Sequence, residues 1–145
     1  MIKARHVGLV VDDLDRSIKF YSAVFGLSVW KRAFEEDPSY ISRLVGLENP
    51  KIEYAKMEIS DSFILELLQY HNYAKKEREG NYDSNRHGCS HLALTVTDSH
   101  LIHGRILEGG GHCNSEPLIS PDGNVRVFYA HDLDGIILEI VEELK

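Results

Sequence analysis

Only two cysteines occur in the 145 residues, Cys89 and Cys113, and neither has a Cys-x-x-Cys partner. A disulfide framework and a thiolate zinc ribbon are therefore excluded, and Cys89, two residues before His91, reads as a buried structural thiol. Positive charge is also scarce: 16 Lys and Arg stand against 23 Asp and Glu, for a formal net charge of -7. General binding to nucleic acid or to an anionic membrane needs a positive surface, so both are excluded as partners, although a local basic patch for an anionic substrate is not. Long apolar runs are absent too, and no stretch approaches the roughly 20 apolar residues of a membrane-spanning helix. The opening Met-Ile-Lys-Ala-Arg-His lacks the basic-then-apolar design of a signal peptide, which leads us to expect a cytoplasmic location.

What the chain does have is an internal repeat. A strand opening on histidine occurs twice, His6-Val-Gly-Leu-Val-Val and His91-Leu-Ala-Leu-Thr-Val, and so does a strand closing on glutamate, Ile64-Leu-Glu66-Leu-Leu and Ile137-Leu-Glu139-Ile-Val. Repeats are sought before elements are assigned, because missing one misreads the whole fold. With His6 set over His91, Val7 pairs with Leu92, Leu9 with Leu94, Val11 with Val96 and Asp13 with Asp98. With Glu66 over Glu139, the turn residue Asp61 pairs with Asp134. Glutamate follows histidine by 60 residues in the first copy and 48 in the second, so the first carries about twelve extra residues. The 43% apolar and 27% charged composition is that of an ordinary globular protein, and the length suits one domain over 1–145. Its repeats cover about 1–72 and 88–145, linked by a polar loop.

Each copy reads as a strand, a helix and then three strands. In the first, Ile18, Tyr21 and Phe25 recur at helical spacing after Asp12, Asp13 and Asp15, and Gly26 is a stop. In the second, Ile102, Ile106 and Leu107 form the stripe, Ser99 the cap and Gly109-Gly-Gly111 the end. Period-two patterning marks strands at Leu27 to Arg32, Glu53 to Ile59, Phe63 to Leu68, Val125 to Tyr129 and Ile136 to Val141. Trp30 and the other aromatics read as core.

Strand alternation then sorts the side chains. If Val7, Leu9 and Val11 pack inward, His6 points to the other face, and the same parity turns His91, Glu66 and Glu139 outward from their apolar neighbours. Two imidazoles and two carboxylates at repeat-matched positions suit a borderline divalent cation such as Zn, Ni, Co, Mn or Fe. Such an ion would act as a Lewis acid on a substrate carbonyl, with Glu139 and Glu66 as candidate catalytic proton carriers. The other six histidines, His71, His87, His100, His103, His112 and His131, read as ordinary structural or surface residues.

From His6-Val-Gly-Leu-Val-Val-Asp-Asp-Leu-Asp-Arg-Ser-Ile-Lys-Phe-Tyr-Ser-Ala-Val-Phe-Gly-Leu to His131-Asp-Leu-Asp-Gly-Ile-Ile-Leu-Glu-Ile-Val-Glu142, the chain resembles the vicinal oxygen chelate superfamily of glyoxalase I, methylmalonyl-CoA epimerase, extradiol dioxygenases and antibiotic-resistance proteins. The resemblance implies an α+β fold in which two paired βαβββ modules curl an eight-stranded mixed sheet around a metal cleft. It also implies His6, Glu66, His91 and Glu139 as ligands of one divalent ion, a small carbonyl substrate, and a homodimer in which the site lies within one chain or across two.

A four-ligand set resembles that of glyoxalase I and the epimerases more than the three-ligand dioxygenases, and both of the former move a proton beside a carbonyl. Bacterial glyoxalase I has an arginine four residues after the first histidine and an asparagine four after the first glutamate, where this chain has Val10 and Tyr70. The segment Asp37 to Leu47 looks like the branch holding methylmalonyl-CoA epimerase-like and cyclitol epimerases. A metal-dependent epimerase or isomerase is thus the first expectation and a lactoylglutathione lyase the alternative, ahead of a dioxygenase or a non-catalytic binder. Arg126, Tyr40, Arg43 and Tyr70 are the candidate substrate contacts, and the loop from Asn72 to Arg86 a candidate lid.

Overall fold

Among the described residues, nine strands make two sheets, the longer ones carrying apolar residues at alternate positions. The structure, a computed structural model, describes residues 1–74, 83–88 and 91–145. The expected Cys89 thiol and most of the expected lid lie outside them. The chain forms two compact units, one of Met1–Ser22 with Gly26–Lys76 and the other of Ala23–Phe25 with Glu77–Lys145.

In the first unit the sheet order is β1 (His6–Val10), β4 (Phe63–Tyr70), β3 (Ile52–Ser60), β2 (Val29–Phe34). β1 runs parallel to β4, and the remaining pairs are antiparallel. Leu9, Val11, Ala55, Met57, Leu65 and Leu67 are buried, each large aliphatic side chain contributing about 1.5–3 kcal/mol. α1 (Leu14–Phe25) starts at Asp13, whose side chain accepts from the Arg16 N–H, and stops at Gly26 in the left-handed conformation. Its buried face is Leu14, Ser17, Phe20, Tyr21 and Val24, so the stripe is rotated from the expected Ile18 and Phe25, both half-buried.

The extra residues of the first copy form α2 (Pro38–Val45), a helix with Asp37 at its cap and Pro38 in its first turn. Trp30 is 56% exposed, against its expected core position. It lies on β2, the edge strand, where the pairing with β3 shifts register between Val29 and Lys31.

In the second unit β5 (Leu92–Val96) runs parallel to β9 (Ile137–Glu143), which pairs antiparallel with β8 (Val125–His131). β8 then takes two short partners, β6 (His112–Cys113) and β7 (Leu118–Ile119). Nine strands therefore replace the expected eight, because Pro117 before β7 has no N–H to continue one ladder through β6 and β7. α3 (Ser99–Glu108) packs against β6, β8 and β9 with Ile102 and Ile106 buried, while Leu107, expected on that stripe, is 49% exposed. Its cap is Asp98, accepting from the Leu101 N–H, rather than Ser99, which is fully buried.

The end of α3 has no room for a side chain at Gly111: a Cβ there would sit 2.7 Å from the His131 carbonyl oxygen and 2.8 Å from Ile106 Cγ2. Gly111→Ala is expected to destabilise the protein by about 1–3 kcal/mol, through the strain of overpacking. Thermal unfolding checks this, and an unchanged midpoint would contradict the packing described.

Candidate metal centre

Parallel pairing brings each histidine to its glutamate. In the first unit His6 is registered with Ile64 and Gly8 with Glu66, so His6 and Glu66 are two positions apart along neighbouring strands and share a face. His6 Nε2 lies 3.2 Å from Glu66 Oε2. In the second unit Ala93 is registered with Glu139, and His91 Nε2 lies 3.1 Å from Glu139 Oε2. The flanking residues Leu65, Leu67, Leu138 and Ile140 are buried on the opposite face, as alternation requires. Each imidazole is about one-third exposed and each carboxylate is more covered, so both pairs face an open side.

The donor set fits a borderline divalent ion, which accepts imidazole nitrogen and carboxylate oxygen. Two such donors, each about 2.1 Å from one ion, stand about 3 Å apart at a right angle. Both observed separations match that span, which is equally the length of a hydrogen bond. Among the described residues no three His, Cys, Asp or Glu side chains are grouped to share one ion. The donors come in twos, one pair in each unit.

The residues facing the two glutamates across their hairpins differ. Lys56 is registered with Glu66, its Nζ 3.5 Å from Glu66 Oε1. At the matching position of the second copy Tyr129 is registered with Glu139, and its ring centre is 5.2 Å from that of His91. Burial, and secondarily the charge of Glu139, push the Tyr129 phenol above its usual range, so it stays protonated at neutral pH. Sequence reasoning overlooked both residues, although counting back across the Asp61 and Asp134 turns finds them.

The four expected substrate contacts separate. Tyr70 shares the Glu66 face at the far end of β4, opposite Ile52, and burial raises its phenol. Val10, 61% exposed, is on the same face of β1 as His6. Tyr40 and Arg43 are exposed on α2, with no contact to His6 or Glu66. Arg126 faces away from Glu139 and is engaged with Glu142, Nη1 to Oε2 at 3.0 Å. That carboxylate also accepts from the Ser99 hydroxyl and, at 2.9 Å, from the Ser99 N–H.

Glu53 is engaged in the same way in the first unit. His71, read as structural, bonds Glu53 at 2.9 Å, and Glu53 also accepts from Arg32 at 2.7 Å. The Cys113 thiol is pushed up to about 11 by burial, far from a reactive thiolate. A cavity of about 560 Å³ in the second unit is lined by polar groups including His112, Asn114, His131 and Asp132.

A duplicated unit of parallel-paired outer strands, each presenting one His–Glu pair, defines the class of fold. The chain belongs to the Glyoxalase/Bleomycin resistance protein/Dioxygenase superfamily, whose profile matches residues 3–140. It is 28% identical to the lactoylglutathione lyase of Salmonella typhimurium over 94% of this chain and 90% of that protein. It is 26% identical to the probable lactoylglutathione lyase of Vibrio cholerae, over 94% and 88%. A lactoylglutathione lyase of Arabidopsis thaliana is 26% identical, and this chain matches 43% of its length. Among solved structures, a glyoxalase family protein from Bacillus cereus superposes with a TM-score of 0.89 at 25% identity, covering 100% of this chain and 96% of that one. Glyoxalase I from Zea mays gives 0.69 at 22% identity, covering 98% and 47%.

The Ser99 hydroxyl, the Ser99 N–H and Arg126 together hold the Glu142 carboxyl down to about 2, against an ordinary 4.5. A depressed carboxyl adds its stability in full above pH 4.5 and loses it as the pH falls toward 2. Glu142→Gln is expected to melt lower than wild type at pH 7, with the gap narrowing between pH 4.5 and 2. Melting curves at several pH values check this, and a gap independent of pH would refute it.

Proposed function

We propose that this chain is a metal-dependent enzyme that moves a proton beside a substrate carbonyl, of the lactoylglutathione lyase type. The observation that carries the reading is the pair of matched His–Glu contacts, 3.2 and 3.1 Å, at equivalent positions of the repeat. His6, Glu66, His91 and Glu139 are the proposed ligands of one divalent ion, two from each unit, drawn from one chain or from two copies in a dimer. When bound, the ion supplies a Lewis acid that polarises the carbonyl. Glu139 removes the proton from the neighbouring carbon, and Glu66 is the second carboxylate able to return it. His6 and His91 would complete the donor set, and the protonated Tyr129 phenol adds a hydrogen-bond donor on the Glu139 side.

The relatives' names shift the reading from the epimerase expected of the sequence toward the lyase. One observation still favours an epimerase. Val10 and Tyr70, on the His6 and Glu66 face, stand where the resemblance places the glutathione-binding arginine and asparagine of bacterial glyoxalase I.

Two assays separate the readings: thioester formation from glutathione and a 2-oxoaldehyde, and deuterium uptake from solvent into candidate epimerase substrates. Glu139→Gln is expected to slow the active assay by roughly 10²- to 10⁴-fold, the usual worth of a positioned proton carrier. Metal content is measured alongside. Full activity in protein shown to be free of divalent metal would overturn the proposal.

A further inference from the structure

The chain carries more negative than positive charge, yet two lysines share one ring on the Glu66 face of the first unit. Lys56 Nζ lies 5.2 Å and Lys31 Nζ 5.7 Å from the centre of the Tyr54 ring, which is itself buried. Lys31 is registered with Lys56 across β2 and β3, so the two stand side by side. Lys56 also reaches Glu66 at 3.5 Å. A hydrogen bond with Tyr54, and more weakly Glu35, raise the Lys31 ammonium above its usual value and keep it charged.

The fold does not require a lysine here, because the equivalent residue of the second copy is Tyr129 and its hairpin forms the same ladder. Nor does Glu66 account for both cations: it lies 3.5 Å from Lys56, while the acidic charge acting on Lys31 is that of Glu35. If Glu66 is a metal ligand, as proposed above, its charge is largely met by the ion. Two ammoniums then remain beside a divalent cation, an arrangement in which like charges repel unless an anion lies among them.

We propose that Lys56 and Lys31, floored by Tyr54, form the subsite for an anionic group of the substrate, a carboxylate or a phosphate held close to the reacting carbonyl. The substrate class is thereby narrowed to short oxo or hydroxy compounds bearing such a group near the carbonyl. In a glutathione thioester the free carboxylates lie several bonds away along the peptide, so of the two readings above this subsite sides with the epimerase and against the lyase. This inference rests on the reading of Glu66 as a metal ligand, and the test keeps the two apart.

Malonate, inorganic phosphate and S-methylglutathione are titrated by calorimetry into the full-length protein, metal-loaded and metal-free, with metal content measured by mass spectrometry. Malonate binding marks a carboxylate site and phosphate binding a phosphate site. Lys56→Met is expected to weaken the bound dianion roughly tenfold or more, the loss of one charge-assisted contact, and Lys31→Met to weaken it less. Lys56→Arg, which keeps the charge, should retain binding within about threefold of wild type. Circular dichroism shows that the variants are folded. Equal affinity in Lys56→Met and wild type, or stronger binding of S-methylglutathione than of either dianion, overturns the subsite. A protein that takes up no divalent metal overturns the metal reading instead, while Lys56-dependent binding is still read on the metal-free chain.

Discussion

Everything at the proposed centre depends on one pairing: a histidine-bearing strand lying parallel to a glutamate-bearing strand in a fixed register. In a parallel ladder a slip of one residue would turn every side chain of the strand to the other face. Here a slip is opposed by buried Leu9, Leu65 and Leu67 in the first unit and by Leu138 and Ile140 in the second. The energy that fixes the polar pairs is thus apolar burial on the far face, about 1.5–3 kcal/mol for each of those leucines and isoleucines. The His–Glu contacts need contribute little stability themselves, and both pairs are part-exposed, as groups awaiting a ligand must be.

Charges on the opposite faces are treated differently. Glu53 with Arg32 and His71, and Glu142 with Arg126 and Ser99, are each engaged by two partner residues. Burial raises the Glu53 carboxyl, but hydrogen bonds from Arg32 and then His71 outweigh it, so it rests below the usual range. Carboxylates engaged in this way tie strand to helix or strand to strand, which is a structural use of their charge. This separates Arg126, which a sequence view could cast as a substrate contact, from Lys56, which it overlooked.

Most of the architecture was legible because its signal has a short period. Alternation in His6 to Val11 and His91 to Val96 reveals faces from six residues, and the repeat repeats the observation. The helix over Pro38–Val45 carries an equally local signal, Asp37 before Pro38, but lies in the residues that the repeat does not duplicate, so the second copy gives it no support. Other errors lay beyond local pattern. The rotated face of α1 follows from what covers Leu14, Ser17 and Val24, and the exposure of Trp30 from β2 being an edge, neither of which periodicity contains. Cross-hairpin neighbours occupy the middle ground: Lys56 and Tyr129 become visible once the Asp61 and Asp134 turns are fixed and residues are counted outward.

That count also bears on how a duplicated site acquires direction. Two copies of one module begin with equivalent carboxylates, whereas proton transfer needs one that moves and another that stays. Glu66 contacts both His6 and the Lys56 ammonium, so leaving its position breaks an ion pair as well as the histidine contact. Glu139 contacts His91 and lies across from a neutral phenol, so its carboxylate swings away at lower cost. Divergence at this one pair of repeat-equivalent positions therefore leaves Glu139 the less restrained of the two carboxylates, in keeping with its proposed part as the first base. The same lysine that anchors Glu66 is the one proposed to meet a substrate anion, so the residue that distinguishes the two carboxylates would also orient the substrate between them.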